Sequence, residues 1–248
     1  MDGVFRLFTG DAVGWLSGLP AASAQLIVLD PGVPGRAPRR PNARSRAGPA
    51  IPAVAEHALP ALLYEGHRVL ASGGLCWWVT ETAHAFKAAR RADRLGFAIG
   101  APLVWDRGDG PGARLAFVLP LTDGRARSPG PELVQAPRPA QPDGTIAQPQ
   151  LLCDALIEAA SAPGDVVVDP FMGEGAIGAS AVRLGRAYLG CDLAPFEEAV
   201  RARLAKLAPD DDADPRIEAL ARTLRGAAGH AIAQPTLGTN GGGQLTIF

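Results

Sequence analysis

Lysine is almost absent from this chain. Of its 24 basic residues only Lys87 and Lys206 are lysines, which leaves 22 arginines (24 minus 2). Cysteine is scarce too. Cys76, Cys153 and Cys191 are far apart and odd in number, which excludes a disulfide framework and a CxxC metal site. The four histidines, His57, His67, His84 and His230, do not cluster at ligand spacing, so no metal centre is expected. Charge of one sign is not in excess: the formal net charge is -1, and any nucleic-acid binding must come from a local patch. No apolar run reaches about 18 residues, which argues against a membrane-spanning helix. The opening MDGVFRLFTGDAV lacks the basic-then-apolar layout of a signal peptide. These absences lead to the expectation of a soluble, reduced, cytoplasmic protein.

What is present is a regular alternation. The 248 residues, 47% of them hydrophobic, suffice for one large domain or two small ones with a sizeable core. Leu26 to Leu29 reads as a buried strand ending at Asp30, and His57 to Leu70 as a helix. Leu75 to Val79 is a second strand after the break Gly73-Gly74. A basic amphipathic helix follows over Ala83 to Leu95. Ile99 to Trp105 is an extended run that Pro102 places at a sheet edge or a strand start. Ala113 to Leu119 is a candidate fourth strand. Leu151 to Ser161, Ala176 to Leu184 and Phe196 to Leu207 read as helices, with Val166 to Val168 and Tyr188 to Cys191 as strands between them. Strands alternating with helices of this length predict βαβ units and a largely parallel sheet. Residues 31–50, 107–150 and 209–248 do not read as packed core. The last of these starts acidic, has a candidate short helix near Ile217 to Leu224, and ends Gly-rich.

The strongest local signal is VVVDPFMGEGAIGASAVRLGRAYLGCDLAP, residues 166–195. A strand ends in Asp169, a glycine turn leads into a helix, and the next strand ends in Asp192. Gly173 and Gly175 let a ligand approach the backbone closely, and Asp192, 17 positions after Gly175, stands where an acid meets ribose hydroxyls in Rossmann-like units. Glu174 inside the turn would repel a pyrophosphate, so a cationic or zwitterionic nucleoside suits the site better. The bland reading is an ordinary βα turn.

The segment Asp169-Pro170-Phe171-Met172-Gly173-Glu174-Gly175-Ala176 resembles the S-adenosylmethionine loop, DPFxGxGT, of the amino-group (N6-adenine/N4-cytosine) DNA methyltransferases. The opening Thr9-Gly10-Asp11-Ala12 and the strand Gln25 to Asp30-Pro31 are similar to the family's Gly-Asp and its strand running into DPPY. With the catalytic strand first and the cofactor loop second, the order is that of the permuted β type. The resemblance implies an α/β, Rossmann-like S-adenosylmethionine-dependent methyltransferase fold with a mostly parallel twisted sheet and helices on both faces. It assigns the methyltransferase domain to 1–208, a short target-recognition region to 107–145, and a flexible tail to 209–248. It implies cofactor contacts from Asp11, Asp169, Pro170, Phe171, Gly173, Gly175 and Asp192. Asp30 and Pro31 would accept hydrogen bonds from the target amine, localising its lone pair for attack on the methyl group. The base must leave the stack first, so base flipping belongs to the reading. Asp11 as a helix N-cap and Asp30 as a strand-end acid remain as alternatives.

The sequence departs from the family at two places. The tetrapeptide is Asp30-Pro31-Gly32-Val33, without the second proline and the aromatic, and Gly144 to Pro149 keeps only the last proline of the family's His-Pro-Thr-x-Lys-Pro. A cytosine-C5 mechanism is disfavoured, because no cysteine follows a proline. Arg36, Arg39, Arg40, Arg44 and Arg46 form a basic stretch without acids, suited to clamping the phosphates of double-stranded DNA or, alternatively, only solvated. The end Gln244-Leu245-Thr246-Ile247-Phe248 resembles the peptide that docks bacterial proteins on the replicative sliding clamp, through Gln244, Leu245, Ile247 and Phe248. An incidental tail is the alternative. Paired protomers are common in the family, so a homodimer is a further expectation. Three functions follow: a DNA methyltransferase favouring adenine N6 over cytosine N4, a methyltransferase-like binding protein without turnover, and a methyltransferase with a non-DNA acceptor.

Overall fold

The run Leu26–Leu29 lies in the middle of a nine-stranded sheet in the computed structural model, which describes residues 4–31, 55–108, 114–124, 129–137, 148–207, 214–227, 237–239 and 245–247. In chain order the elements are β1 (Phe5–Thr9), α1 (Ala12–Ser17), β2 (Ala24–Leu29), α2 (Leu59–Val69), β3 (Leu70–Glu81), α3 (Thr82–Arg94), β4 (Ala98–Ile99), β5 (Leu103–Asp106), β6 (Leu115–Thr122) and β7 (Leu133–Gln135). After these come α4 (Gln150–Ala160), β8 (Val166–Asp169), α5 (Ala176–Arg183), β9 (Ala187–Asp192), α6 (Glu197–Leu204) and α7 (Pro215–Ala227). A separate antiparallel pair, β10 (Leu237–Thr239) and β11 (Leu245–Ile247), ends the chain. The sheet order is β1-β9-β8-β2-β3-β6-β5-β7, with β4 also on β6. Every neighbour from β1 to β3 is parallel, while β6 runs against β3, β4 and β5.

Alternation along each strand divides the core between the two faces. Ile27, Leu29, Cys76, Trp78, Val166, Val168 and Leu189 pack with α1, α2, α3 and α7. Leu26, Val28, Leu75, Trp77, Val167 and Tyr188 pack with α4, α5 and α6. Burial on both faces explains why β2 and β8 read as continuous apolar runs rather than as alternating ones.

Four details differ from the sequence expectation. Phe5–Thr9, too short a pattern to read as a strand in sequence, is the edge strand beside β9. Phe5 and Leu7 are buried, while Arg6 pairs with Glu218 of α7. The run Ile99 to Trp105 is two strands on β6. Ile99 faces Leu121 while Leu103 faces Val118, so one extra residue bulges out at Gly100–Pro102. Opposite this bulge β6 continues through Pro120, whose carbonyl takes the Gly100 N–H at 3.0 Å, so the donor that proline lacks falls where the ladder is already interrupted. Within 107–145, the expected fourth strand is present as residues 115–122, and 133–135 is a further sheet strand that the sequence pattern does not announce. Finally, the packed unit does not end at 208. Ile217, Leu220, Ala221 and Leu224 of α7 are buried against the β1–β9 edge of the sheet.

Candidate active site

Four parallel strands, β1, β9, β8 and β2, are neighbours, and a carboxylate stands at or just beyond the C-terminal end of each: Asp11, Asp192, Asp169 and Asp30. From β8 the chain crosses through α5 to β9 on one side. From β2 it proceeds to β3 on the other side, with α2 on the opposite face. The gap between β8 and β2 is therefore the topological switch point of the sheet, where open α/β folds bind ligands.

The turn after β8 is built by backbone geometry and two acids. Gly173 and Gly175 have φ of 46° and 76°, in the left-handed region. Asp192 Oδ2 accepts the Gly173 N–H at 2.9 Å and its Oδ1 accepts the Ala194 N–H at 2.9 Å, so this acid braces the turn with one lone pair left on each oxygen. The two glycines have different reasons to be there. A Cβ on Gly173 would meet nothing within 4 Å among the described residues, whereas one on Gly175 would come within 2.6 Å of Val200 Cγ1 on α6. Gly173 thus leaves open space for a close-lying ligand, and Gly175 serves the packing of α6. From α6, Arg203 Nη1 donates to the Glu174 carbonyl at 3.0 Å.

Asp169 lies beneath the turn and is 3% exposed. Its Oδ1 accepts the Phe171 N–H at 3.1 Å, and its Oδ2 accepts the Tyr188 hydroxyl at 3.0 Å. Burial pushes its carboxyl up to about 7. The two hydrogen bonds oppose the shift, and the Asp192 and Asp30 carboxylates add to it. Tyr188 reaches Asp169 through a slot lined by Gly178 and Gly190, where an added Cβ would come within 2.7 Å of the tyrosine in either case. Burial first, and Asp169 second, hold the Tyr188 hydroxyl well above its ordinary value.

At the end of β2, Asp30 is half-buried and Pro31 buried. Asp30 Oδ2 accepts the Gln148 Nε2–H at 2.7 Å. Asp11 caps α1, its Oδ2 accepting the Gly14 N–H at 2.8 Å, which is the N-cap alternative. All nine expected catalytic and cofactor positions therefore meet at one edge of the sheet. Gly32, Val33 and the arginines 36, 39, 40, 44 and 46 lie outside the described residues, as do Gln244 and Phe248. Leu245–Ile247 pairs with Leu237–Thr239.

Two residues at this edge have no counterpart in the sequence reading. In the sequence Gln148 is only a departure from a motif. Leu193, 57% exposed directly after Asp192, leaves no signal beyond an apolar residue following an acid. All three cysteines are buried, and burial pushes each thiol up, so none offers a thiolate nucleophile. No helix among the described residues is long and apolar enough to cross a membrane.

A sheet wound in both directions from β8 and β2, with a braced glycine turn at the switch point and an acid closing the next strand, defines the S-adenosylmethionine-dependent methyltransferase fold. Solved structures share it. A Thermus thermophilus protein described as a DNA modification methylase is 24% identical with a TM-score of 0.62, over 84% of this chain and 97% of that one. The same protein complexed with S-adenosyl-L-methionine matches at 23% identity and TM-score 0.62, over 84% and 96%. The cytosine-N4-specific PvuII DNA methyltransferase matches at 16% and 0.64, over 91% of this chain and 94% of that one. Residues 135–201, which hold α4, the glycine turn and Asp192, match the family model of the N6/N4 DNA methylases.

Proposed function

We propose that the protein transfers a methyl group from S-adenosylmethionine to an exocyclic amine of a flipped-out base in double-stranded DNA, adenine N6 in preference to cytosine N4. One observation carries the reading: β2 and β8 are paired neighbours, Ile27 facing Val168, so Asp30 and the glycine turn open on the same crevice. The residues fit the cofactor. The space beside Gly173 is open, and Asp11, Asp30, Asp169 and Asp192 make the crevice suited to a cation and hostile to phosphate. S-adenosylmethionine, when bound, supplies an electrophilic methyl on a sulfonium. The Gly173 turn and Asp192 would hold its ribose, and Phe171, Leu193 and Asp11 its adenine, over the floor formed by Asp169, Pro170 and Gly175. The Asp30 carboxylate and the Pro31 carbonyl accept the amine hydrogens, which keeps the nitrogen lone pair out of the ring. Asp30 is also the base beside the nitrogen when it sheds its extra proton. Aspartate at the head of the tetrapeptide supports adenine as the target.

Arg36, Arg39, Arg40, Arg44 and Arg46 follow directly on Pro31 and are the proposed phosphate contacts. The test is methyl incorporation from labelled cofactor into DNA, RNA and cell extract side by side. Label should enter DNA, and Asp30→Ala should abolish it. Unchanged incorporation in that variant removes the mechanism. No incorporation into any acceptor by the wild type, despite cofactor binding, favours a binding protein without turnover, consistent with Gly32-Val33 in place of a proline and an aromatic.

The C-terminal Leu245–Ile247 segment is proposed to dock on a bacterial sliding clamp, on the strength of its sequence after the Gly-rich 241–243. In a calorimetric titration of the full chain with the clamp, binding lost in the double variant Leu245→Ala, Ile247→Ala is the expected result. No heat with the wild type rejects it.

A further inference from the structure

Asp30 is held by more than its own strand. Gln148 Nε2 donates to Asp30 Oδ2 at 2.7 Å, and at the other end of the same carboxamide the Cys153 thiol donates to Gln148 Oε1 at 3.6 Å. The two neighbours fix which end of the amide faces which. A carboxylate only accepts, so the end towards Asp30 must be the NH2. Burial pushes the Cys153 thiol up, with Asp169 and Asp154 adding to the push, so the thiol keeps its proton and faces the carbonyl end as a donor. The backbone is equally constrained. Gln148 precedes a proline, which confines it to extended conformations. The Pro149 carbonyl closes the first turn of α4 by accepting the Leu152 N–H at 3.0 Å and the Cys153 N–H at 3.2 Å. The indole N–H of Trp77 on β3 donates to the Leu156 carbonyl at 2.9 Å, tying α4 to the sheet.

We propose that Gln148 is a positioning residue for methyl transfer: its carboxamide, locked by Cys153 at the start of α4, holds the Asp30 carboxylate in the orientation that receives the target amine. The inference rests on the methyl-transfer reading above. A neutral donor orients the acid without neutralising it, which a cation at the same place would do in part. Among the described residues, Asp169 on β8, whose carboxyl Asp30 helps to push up, and the protonated Cys153 on α4 are titratable groups that face Asp30. Gln148 stands where the resembling family stretch has lysine, so the Gln148→Lys variant supplies a charged donor to the same oxygen.

Two measurements on the full chain test this. The first needs no turnover: in nuclear magnetic resonance, the side-chain amide signal of Gln148, assigned by its loss in Gln148→Leu, should move upfield in Asp30→Ala. An unmoved signal overturns the contact. The second is kinetic. Gln148→Leu should lower kcat for DNA methylation about tenfold to a hundredfold, the size expected for a lost hydrogen bond to a charged group. KM for S-adenosylmethionine should stay within about threefold. Gln148→Lys should recover most of kcat and move the acid limb of the kcat–pH profile to lower pH, because a cation beside the carboxylate favours its charged form. An unchanged kcat in Gln148→Leu, or a loss that lysine does not recover, overturns the positioning role. A wild type that moves no methyl group while the amide signal still responds to Asp30→Ala removes the methyl-transfer reading and leaves the carboxamide contact supported.

Discussion

Asp169 is placed under opposed demands. It must accept the Phe171 N–H to form the turn, which favours the carboxylate, yet it is 3% exposed and shares its surroundings with two other acids. With its folded value pushed up to about 7 and an ordinary unfolded value near 4, the folded chain binds more protons than the unfolded chain between those limits. Stability should therefore fall as pH rises from about 4 to about 7, by at most about 4 kcal/mol, and level off above. Asp169→Asn keeps an acceptor for Phe171, presents its NH2 to the Tyr188 oxygen and cannot ionise, so the slope assigned to this residue should vanish. Urea unfolding of both proteins at pH 4.5, 6 and 8 measures it; parallel profiles would place the pH dependence elsewhere. Little of this is readable beforehand. The sequence identifies Asp169 as part of a DPF tripeptide, but only the fold shows that it lies underneath the turn with Tyr188 as its partner.

The turn and its flanking elements show what local pattern can and cannot convey. A glycine in the left-handed region costs about 1 kcal/mol to replace at either position, but the surroundings separate the two. Gly175→Ala adds a 2.6 Å clash with Val200 and should lose a further 1–3 kcal/mol or so from overpacking, seen as a lower melting temperature. Gly173→Ala, with open space on that side, should melt nearer to wild type but lose S-adenosylmethionine affinity, seen by calorimetric titration, because its methyl group enters the ligand's space. Equal melting losses in the two variants would contradict the division of labour. The β8–α5–β9 unit is legible in sequence because its strands are apolar runs, its helix is made of small and apolar residues, buried from Ile177 to Val182, and its breaks are glycines. β1 is not, because five residues with an arginine and a threonine among them carry too short a pattern, and their partner strand lies some 180 positions away in register with Tyr188 to Asp192. The last helix is legible near Ile217 to Leu224, but the burial of its Ile217, Leu220 and Leu224 face is not, because that face follows an acidic run that reads as solvated tail. Gln148 is harder still. Only tertiary proximity, across 118 positions, gives that amide an acid to hold.

For the molecule as a whole, the sign of charge at the crevice limits how nucleic acid can be held. The four strand-end acids favour a cation, and Asp30 is the proposed acceptor for a base amine, but acids at this place repel a DNA backbone, and a net charge of -1 supplies no general attraction. On the proposed DNA reading, the cations that hold phosphates would stand outside the crevice yet close to the end of β2. The stretch that follows Pro31 meets that condition by sequence alone, with five arginines and no acid over 31–50. If all five contact phosphates, the slope of log K against log salt is about -4.5 from this segment. Replacing Arg36, Arg39, Arg40, Arg44 and Arg46 with glutamine should make the measured slope shallower by about that amount, lower DNA affinity at 50 mM salt far more than at 200 mM, and leave S-adenosylmethionine affinity unchanged. Fluorescence anisotropy with a labelled duplex over that salt range gives the slope. A slope that does not move with all five charges removed would mean that the phosphates are held by another surface, and the acidic crevice would then need a different source of compensating charge.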